Sequence, residues 1–321
     1  MNPPTDTNFS QVADLAELYP LLEKIQVQNG WAKKTPVIVP RPNHPFVPHR
    51  WPYSQMRAAL LAAGRLVGTE WAERRNLIMA NPFPGNEYAT VPSLVGAYQM
   101  VKAGEQANSH RHTPNAMRIV LEAGENTFTV VDGQKIPMMP GDVLITPNWC
   151  YHGHANESTD DALWIDVLDA PLTSMLGAMF FEKHTARIEN ATDVVPESPM
   201  RFAFSEYQPK LLRSAPVSPG VRMQTLSSAK QQPTFDHVAI SIEHACALTQ
   251  QPTTANQIYV VLAGKGRSDI NGQSFDWEKG DMLAAPSWVT QVHTANEDAL
   301  IIRVSDEPLM RWLGWYRVSG N

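Results

Sequence analysis

Four of the ten histidines in this chain lie in two short runs. His110 and His112 are two residues apart, so on a β-strand both imidazoles would point to the same face. His152, from a later strand, would then complete a three-histidine metal site. Neutral imidazole is the commonest protein ligand for metals and suits iron, zinc, copper and nickel. The spacing therefore predicts a metal site built on β-strands.

Composition and charge limit the class of protein. A net charge of −6 without a basic block argues against nucleic acid as the main partner. No apolar run is long enough for a membrane span, and the N-terminal segment lacks the features of a secretory signal. Cys150 and Cys246, the two cysteines, show no pairing pattern. We therefore expect a reduced, cytoplasmic protein.

The spacing of apolar residues predicts helices followed by β-structure. Residues 9–25 predict a helix that bends or ends near Pro20, and residues 56–68 predict a second helix. Residues 35–53 are rich in proline and are expected to be extended. After residue 75, short alternating runs separated by turn residues indicate an antiparallel sandwich or barrel. Residues 173–232 carry a weaker pattern, which predicts a linker of helix and loop.

The second half of the chain repeats the first. Residues 130–154 align without a gap onto residues 269–293, at an offset of 139. Identical residues include Gly133, Gln134, Gly141, Asp142, Pro147, Trp149 and His154, matched by Gly272, Gln273, Gly280, Asp281, Pro286, Trp288 and His293. After a two-residue gap the match resumes at an offset of 137. The chain is therefore predicted to be an internal duplication of one β-barrel module.

The two copies differ at the histidines that could bind metal. At the offset of 139, His110, His112 and His152 correspond to Thr249, Gln251 and Gln291, whereas His154 is kept as His293. Packing alone gives no reason for three histidines to be lost together while the framework persists. We therefore expect the first module to hold the metal and the second to be structural.

Two motifs of the first module resemble those of the cupin superfamily. They are Gly104-x5-His110-x-His112, and Gly141-x5-Pro147 followed by His152-x3-Asn156. The glutamate ligand that is usual in the first motif is absent, and Arg118 lies near its place. A duplicated cupin with this departure resembles the gentisate 1,2-dioxygenase group, whose relatives open salicylate and 1-hydroxy-2-naphthoate rings. The resemblance covers most of the chain.

Two departures from this group concern residues that line its pocket. The group commonly shows Trp-x-Trp-His-Asp-His where this chain has Trp149-Cys150-Tyr151-His152-Gly153-His154. It also often carries an aromatic residue near the position of Val95. The resemblance therefore implies the type of reaction more closely than the ring substituents of the substrate.

The fold implied by the resemblance is a mainly β bicupin, with two antiparallel jelly-roll barrels. The expected domains are 1–75 (N-terminal helices and proline-rich arm), 76–172 (metal-bearing cupin), 173–232 (helical or loop linker) and 233–321 (cupin without metal ligands, ending in a helix). The expected cofactor is Fe(II), bound by His110, His112 and His152. Iron has the redox chemistry that zinc lacks.

An anionic ring substrate needs cationic partners. Arg118, six residues after His112, is expected on the same strand and in the same cavity, where its guanidinium could bind a carboxylate bidentately. A structural salt bridge is the alternative role for Arg118. The resemblance adds Arg74, Arg75 and Gln99 as substrate-binding residues, although the two arginines could instead be solvated at a helix end.

Four more residues complete the expected site. By resemblance, His154 is a catalytic acid, base or hydrogen-bond donor, although the persistence of its copy also allows a packing role. Trp149 and Tyr151 are expected to form walls beside the aromatic ring. Asp166 is expected to orient a ligand histidine or His154 from behind.

These expectations point to an Fe(II)-dependent dioxygenase that uses O2 to open a 2-hydroxybenzoate between its carboxyl-bearing and hydroxyl-bearing carbons. The substrate would be gentisate or a 5-substituted salicylate such as 5-nitrosalicylate. The alternatives are a non-enzymatic cupin that binds or stores a small carboxylate, and a metal-dependent cupin isomerase or hydrolase. By resemblance the protein would be a homotetramer, and its composition predicts no nucleic-acid or membrane partners.

Overall fold

The computed structural model describes residues 8–32, 38–226 and 232–320, and the chain divides into two compact units. The first unit, residues 1–43, contains helix α1 (Leu15–Lys24), which starts where Asp14 accepts the N–H of Glu17 at 2.9 Å. The helix begins six residues later than predicted and continues past Pro20. Residues 35–37 of the predicted extended segment lie outside the described residues.

The second unit, residues 44–321, consists mainly of antiparallel strands. Its helices are α2 (Tyr53–Leu66), α3 (Ala170–Met175), α4 (Phe204–Arg213) and α5 (Glu307–Trp312). Strands of the first half are β1 (His49–Trp51), β2 (Arg75–Ile78), β3 (Val95–Val101), β4 (Gln106–His112), β5 (Ala116–Glu122), β6 (Thr127–Val131), β7 (Gln134–Pro137), β8 (Val143–Thr146), β9 (His152–Asn156), β10 (Ala162–Leu168) and β11 (Phe181–Lys183). Strands of the second half are β12 (Arg201–Phe202), β13 (Val221–Thr225), β14 (Asp236–Ile242), β15 (Ala247–Gln250), β16 (Gln257–Ala263), β17 (Lys265–Ile270), β18 (Gln273–Glu278), β19 (Met282–Ala285), β20 (Gln291–Ala295) and β21 (Ala299–Ser305).

Two sheets form a jelly-roll barrel in each half of this unit. The first barrel has the strand orders β12-β8-β5-β10-β3-β2 and β11-β4-β9-β6-β7, and the second has β1-β19-β16-β21-β14-β13 and β15-β20-β17-β18. The prediction of a mainly β fold with two antiparallel barrels is confirmed. The linker prediction was wrong in part, because β11, β12 and β13 occur within it. Each of these short strands is stabilised by pairing with a strand of a barrel, which local patterning does not show.

A strand that precedes each module joins a sheet of the other module. Strand β1 pairs with β19 of the second barrel, and β12 pairs with β8 of the first. This exchange joins the two barrels along their larger sheets. The core between those sheets includes the fully buried side chains of Tyr98, Met117, Ile119, Ile258 and Ile302. Each larger sheet therefore includes a strand that lies outside the expected bounds of its own module.

A buried aspartate anchors each exchanged strand. Asp142 accepts from Arg201 Nε on β12 at 2.7 Å and from the N–H of Phe204, at the start of α4, at 2.8 Å. Asp281 accepts from Arg50 Nε on β1 at 2.7 Å, and its other oxygen accepts the N–H at the start of α2. Both aspartates are about 1% exposed or less. Each ion pair therefore fixes the position of one barrel against the other.

The strand registers correct the sequence alignment of the two copies. His110 lies opposite His152, and Gln250 lies opposite Gln291 at the corresponding place in the second barrel. Gln250, rather than Thr249, is therefore the counterpart of His110. The earlier strands differ by 141 residues (β3 and β14, β5 and β16), because the second copy has a shorter β16–β17 connection than the β5–β6 connection. The offset of 139 therefore does not extend back to β15.

His112 has a different counterpart from the predicted Gln251. The N–H of Trp149 donates to the carbonyl of His112, and the N–H of Trp288 donates to that of Thr253. Thr253 therefore occupies the place of His112. In the described residues of the second barrel, no histidine lies at the positions of the three predicted ligands.

None of the helices within the described residues has the length and apolar character needed to cross a membrane.

We predict that Arg201→Leu strongly destabilises the protein, because this substitution leaves the buried Asp142 carboxylate without its cation. We expect a decrease of about 3 kcal/mol in the free energy of unfolding, the usual cost of breaking a buried ion pair. Urea unfolding followed by tryptophan fluorescence measures it. Arg213→Leu, at the exposed end of α4, is the matched control. Equal unfolding midpoints for the two variants would contradict the anchoring role.

Candidate metal centre

Three histidines converge inside the first barrel. His110 and His112 lie on β4, and His152 lies on the neighbouring β9, directly opposite His110. One ring nitrogen from each histidine lies within 4.8 Å of those of the other two. His110 and His152 are buried and His112 is half-buried. The antiparallel ladder thus brings together the three residues predicted as ligands.

A backbone carbonyl fixes the tautomer of each imidazole. The three contacts are His110 Nδ1 to Asn108 O (3.1 Å), His112 Nδ1 to Pro114 O (2.8 Å) and His152 Nδ1 to Cys150 O (3.1 Å). A carbonyl oxygen only accepts, so Nδ1 must carry the proton and donate it. In each neutral ring the Nε2 lone pair is left free. This is the arrangement of donors that a metal ion requires.

Burial keeps the three imidazoles uncharged. Desolvation is the main cause that lowers the pKa of His110 to about 3 and that of His112 to about 4. It also lowers the pKa of His152 well below its usual value, with the charge of Arg118 as the second cause. Metal ions bind the neutral form of histidine. The donor set therefore fits a divalent transition metal at neutral pH.

Beside the histidines, Asp166 on β10 holds a buried polar network together. It accepts from Gln99 Nε2 at 2.5 Å and from Trp164 Nε1 at 3.0 Å, and its carboxylate lies 3.3 Å from Arg118 Nε. Arg118 also donates to the hydroxyl of Thr146 at 2.8 Å. The expectation that Asp166 orients a histidine is not supported by these contacts, which go to Arg118, Gln99 and Trp164.

Arg118 lies on β5, not on the strand of the ligand histidines as predicted. The chain turns after His112, and β5 crosses to the opposite sheet of the barrel. The side chain still enters the barrel, but it is about 1% exposed and paired with Asp166. Arg118 is therefore part of the buried network, and its charge acts on the histidines from within.

The two neighbouring arginines at the start of β2 have different surroundings. Arg75 is buried, pairs with Glu105 and donates from Nε to the carbonyl of Val67 at 2.9 Å. Arg74 is half-buried and, in the described part of the chain, makes no hydrogen bond or ion pair. After burial, the charge of Arg74 is the next cause that lowers the pKa of His110. Arg74 is therefore an unpaired cation beside the cluster, whereas Arg75 stabilises the fold.

Trp149 and Tyr151 flank Arg111 rather than the histidine cluster. The Arg111 guanidinium carbon lies 4.7 Å from the ring centroid of Trp149 and 4.6 Å from that of Tyr151. Arg111 stands between His110 and His112, so its side chain leaves β4 on the opposite face. The expectation that these two rings form walls beside the substrate is therefore not supported.

His154 is buried next to the cluster without a hydrogen-bond partner. Neither of its ring nitrogens bonds to any described residue. Its ring packs against that of Trp164, with a centroid distance of 5.2 Å, and lies 6.2 Å from that of His152. Leaving a buried polar group unpaired costs about 1–3 kcal/mol. Such a group is positioned to bind a ligand inside the barrel.

The second barrel shows how a histidine at this position is held when no cluster is present. There His293, the copy of His154, contacts the Ser268 hydroxyl through Nδ1 at 2.7 Å. Thr129 occupies the place of Ser268, and its hydroxyl donates to the carbonyl of Gly153 at 2.9 Å instead. His154 therefore lacks the hydroxyl contact that holds His293 in the second barrel.

The sequence pattern did not identify one residue that lies near the cluster. The ring of Phe181 on β11 lies 5.1 Å from that of His110, because β11 pairs alongside β4. The only signal in the sequence was the short apolar run Met179-Phe180-Phe181 within the predicted linker. Pairing with β4 is a long-range contact, which this run does not specify.

Comparison with known proteins agrees with this architecture. The cupin domain model matches residues 97–168. The chain is 30% identical over 335 residues to a 5-aminosalicylate 1,2-dioxygenase of a Comamonas species, covering 95% of this chain and 90% of the relative. It is 27% identical over 334 residues to gentisate 1,2 dioxygenase 1 of Aquipseudomonas alcaligenes, covering 95% and 96%. A crystal structure of a salicylate 1,2-dioxygenase variant from Pseudoaminobacter salicylatoxidans in complex with gentisate superimposes with a TM-score of 0.89 at 26% identity, covering 100% of this chain and 99% of the other.

Fold and site together define a bicupin with a three-histidine cluster in one barrel. The chain belongs to the gentisate and salicylate 1,2-dioxygenase family of ring-cleaving enzymes within the cupins.

The cluster predicts that metal retention depends on the first barrel alone. His110→Ala and His152→Ala should each lose bound metal, because two imidazoles hold an ion much more weakly than three. Gln291→Ala, at the counterpart of His152, should retain it. Inductively coupled plasma mass spectrometry of each variant after gel filtration measures the retained metal. Full metal content in either histidine variant would contradict the assignment.

Proposed function

We propose that this protein is an Fe(II)-dependent dioxygenase that opens the ring of a 2-hydroxybenzoate, with gentisate or a 5-substituted salicylate as substrate. The observation that carries the proposal is the set of three neutral imidazoles whose Nε2 lone pairs are free inside a barrel of this family. The ring bond between the carboxyl-bearing and hydroxyl-bearing carbons would break, and both atoms of O2 would enter the product.

His110, His112 and His152 would hold the iron. Bound Fe(II) would supply the redox chemistry towards O2 that zinc lacks. The carbonyls that accept from the three Nδ1 atoms keep the rings in one orientation, so the protein supplies a preformed site.

Arg74 is the residue best placed to bind the substrate carboxylate. It is half-buried beside the cluster and has no partner among the described residues. Arg118 is already neutralised by Asp166. A guanidinium can donate two parallel hydrogen bonds to one carboxylate, and burial strengthens that bidentate contact.

His154 and Gln99 supply the unpaired polar atoms that a hydroxylated ring could use. Gln99 Nε2 donates to Asp166, which leaves its buried Oε1 without a partner among the described residues. His154 has two free ring nitrogens. A phenolic hydroxyl can donate to Oε1, while His154 can accept or donate a proton at a substrate oxygen. Substrate binding would therefore satisfy groups that the folded protein leaves unpaired.

Oxygen uptake by the Fe(II)-reconstituted protein tests the function. We expect uptake equal to ring loss with at least one of gentisate, 5-aminosalicylate, salicylate, 5-nitrosalicylate, 5-chlorosalicylate and 1-hydroxy-2-naphthoate. The ranking would identify the ring substituents accepted. His152→Ala should be inactive, and Gln291→Ala should keep activity. No uptake from any of these compounds, with iron demonstrably bound, would refute the proposal.

The carboxylate contact predicts a loss of activity for Arg74→Met. Hydrogen bonds to charged groups contribute about 1.5–3 kcal/mol, so kcat/KM should fall about 10- to 100-fold. Arg74→Lys should recover part of the lost kcat/KM, because lysine keeps the charge but lacks the planar guanidinium that contacts both carboxylate oxygens. Steady-state kinetics with the best substrate measures both. Unchanged kcat/KM in Arg74→Met would assign carboxylate binding to another residue.

A further inference from the structure

The strand β11 brings part of the linker against the strand that carries two of the histidines. Phe181, Glu182 and Lys183 lie opposite His112, Arg111 and His110, respectively. In an antiparallel pair, directly opposite residues point to the same face of the sheet. Phe181 and Lys183 should therefore leave β11 on the face of the histidines, and Glu182 on the other face.

Two contacts verify this assignment of faces. Glu182 pairs with Arg111 on the outer face, at 2.6 Å. The ring of Phe181 lies 5.1 Å from that of His110 on the inner face. Successive side chains alternate along a strand, so Lys183 shares the face of Phe181. Opposite Cβ atoms in a sheet are about 5 Å apart, so the Lys183 stem begins close to that of His110.

The charge of Lys183 is not used by the fold. Its side chain is exposed, and it makes no ion pair or hydrogen bond with any residue of the described ranges. Glu182, its acidic neighbour in sequence, is already paired with Arg111 on the opposite face. Arg74 is another cation near the histidines without a partner among the described residues. The net charge of the chain is −6, so an anion approaching this site would otherwise meet net repulsion.

We propose that Lys183 attracts the carboxylate-bearing ring to the face of β4 that carries His110 and His112, where Arg74 then binds it. This inference rests on the proposed function, because it requires an anionic substrate. Charges about 8–10 Å apart still interact at physiological ionic strength, whereas ~0.5 M salt screens them. Lys183 therefore acts on affinity and on the rate of binding, not on the reacting atoms.

The test compares the binding of salicylate to the iron-loaded protein without oxygen, followed by quenching of salicylate fluorescence. Lys183→Gln removes the charge at similar length, Lys183→Arg keeps it, and Lys210→Gln removes an exposed lysine on α4 that makes only an exposed i,i+4 pair. Titrations are made at ~0.02 M and ~0.5 M salt. Salicylamide, which lacks the carboxylate, is the neutral ligand.

At low salt, Lys183→Gln should bind salicylate about three- to tenfold more weakly than the wild type, as expected for loss of electrostatic attraction. The difference should vanish at high salt and with salicylamide, and should be absent in Lys183→Arg and Lys210→Gln. Equal binding by Lys183→Gln and wild type at low salt would overturn this role. Equal weakening at both salt concentrations and with salicylamide would also overturn it, because a lost contact rather than a charge would then be responsible. A wild-type protein that binds neither salicylate nor any other acid of the oxygen-uptake panel would instead overturn the proposed function itself.

Discussion

The interior of the first barrel is governed by the free-energy cost of burying a polar group without a partner. That cost is about 1–3 kcal/mol for a neutral group and more for a charge. Most polar groups inside the barrel are accordingly paired: three histidine Nδ1 atoms with carbonyls, and Arg118 with Asp166. The atoms left unpaired are the features that point to a function. Among the described residues they include the three Nε2 lone pairs, both nitrogens of His154 and Oε1 of Gln99.

The second barrel meets the same constraint without a ligand. Gln250 and Gln291 stand where His110 and His152 stand in the first barrel, and both bond to the hydroxyl of Tyr259, at 2.9 and 2.8 Å. Tyr259 occupies the place of Arg118, since β5 and β16 differ by 141 residues. Its ring also packs against His293, at a centroid distance of 4.3 Å. The side chains that replace the histidines and Arg118 therefore bond to one another, which fits a structural role.

The Gly-Asp pair shared by the two copies supports the strand exchange. Gly141 and Gly280 have φ values of +88° and +91°, a region that side chains rarely adopt. A Cβ at Gly141 would also lie 2.6 Å from the ring of Phe204, and one at Gly280 would collide with the ring of Tyr53. The aspartate after each glycine anchors the exchanged strand. The Gly-Asp pair therefore joins the barrels, and it is kept in the copy that has lost the histidines.

The sequence by itself determined which residues could bind metal, that the chain contains two copies of a barrel, and that only the first copy carries the cluster. These features follow from local spacing and internal repetition, which are readable along the chain. The role of Arg118 could not be read this way, because its strand and its partner Asp166 are set by pairing between distant strands. The same holds for the difference between Arg74 and Arg75, which depends on whether Glu105 lies within reach.

Only the tertiary structure placed Trp149 and Tyr151 outside the barrel, released His154 from the anchor that holds its copy, and brought Phe181 and Lys183 to the ligand strand. The physical reason is common to all of these cases. Residue types and their spacing define what a side chain can do, whereas long-range strand register decides which face it occupies and whether another group has already satisfied it.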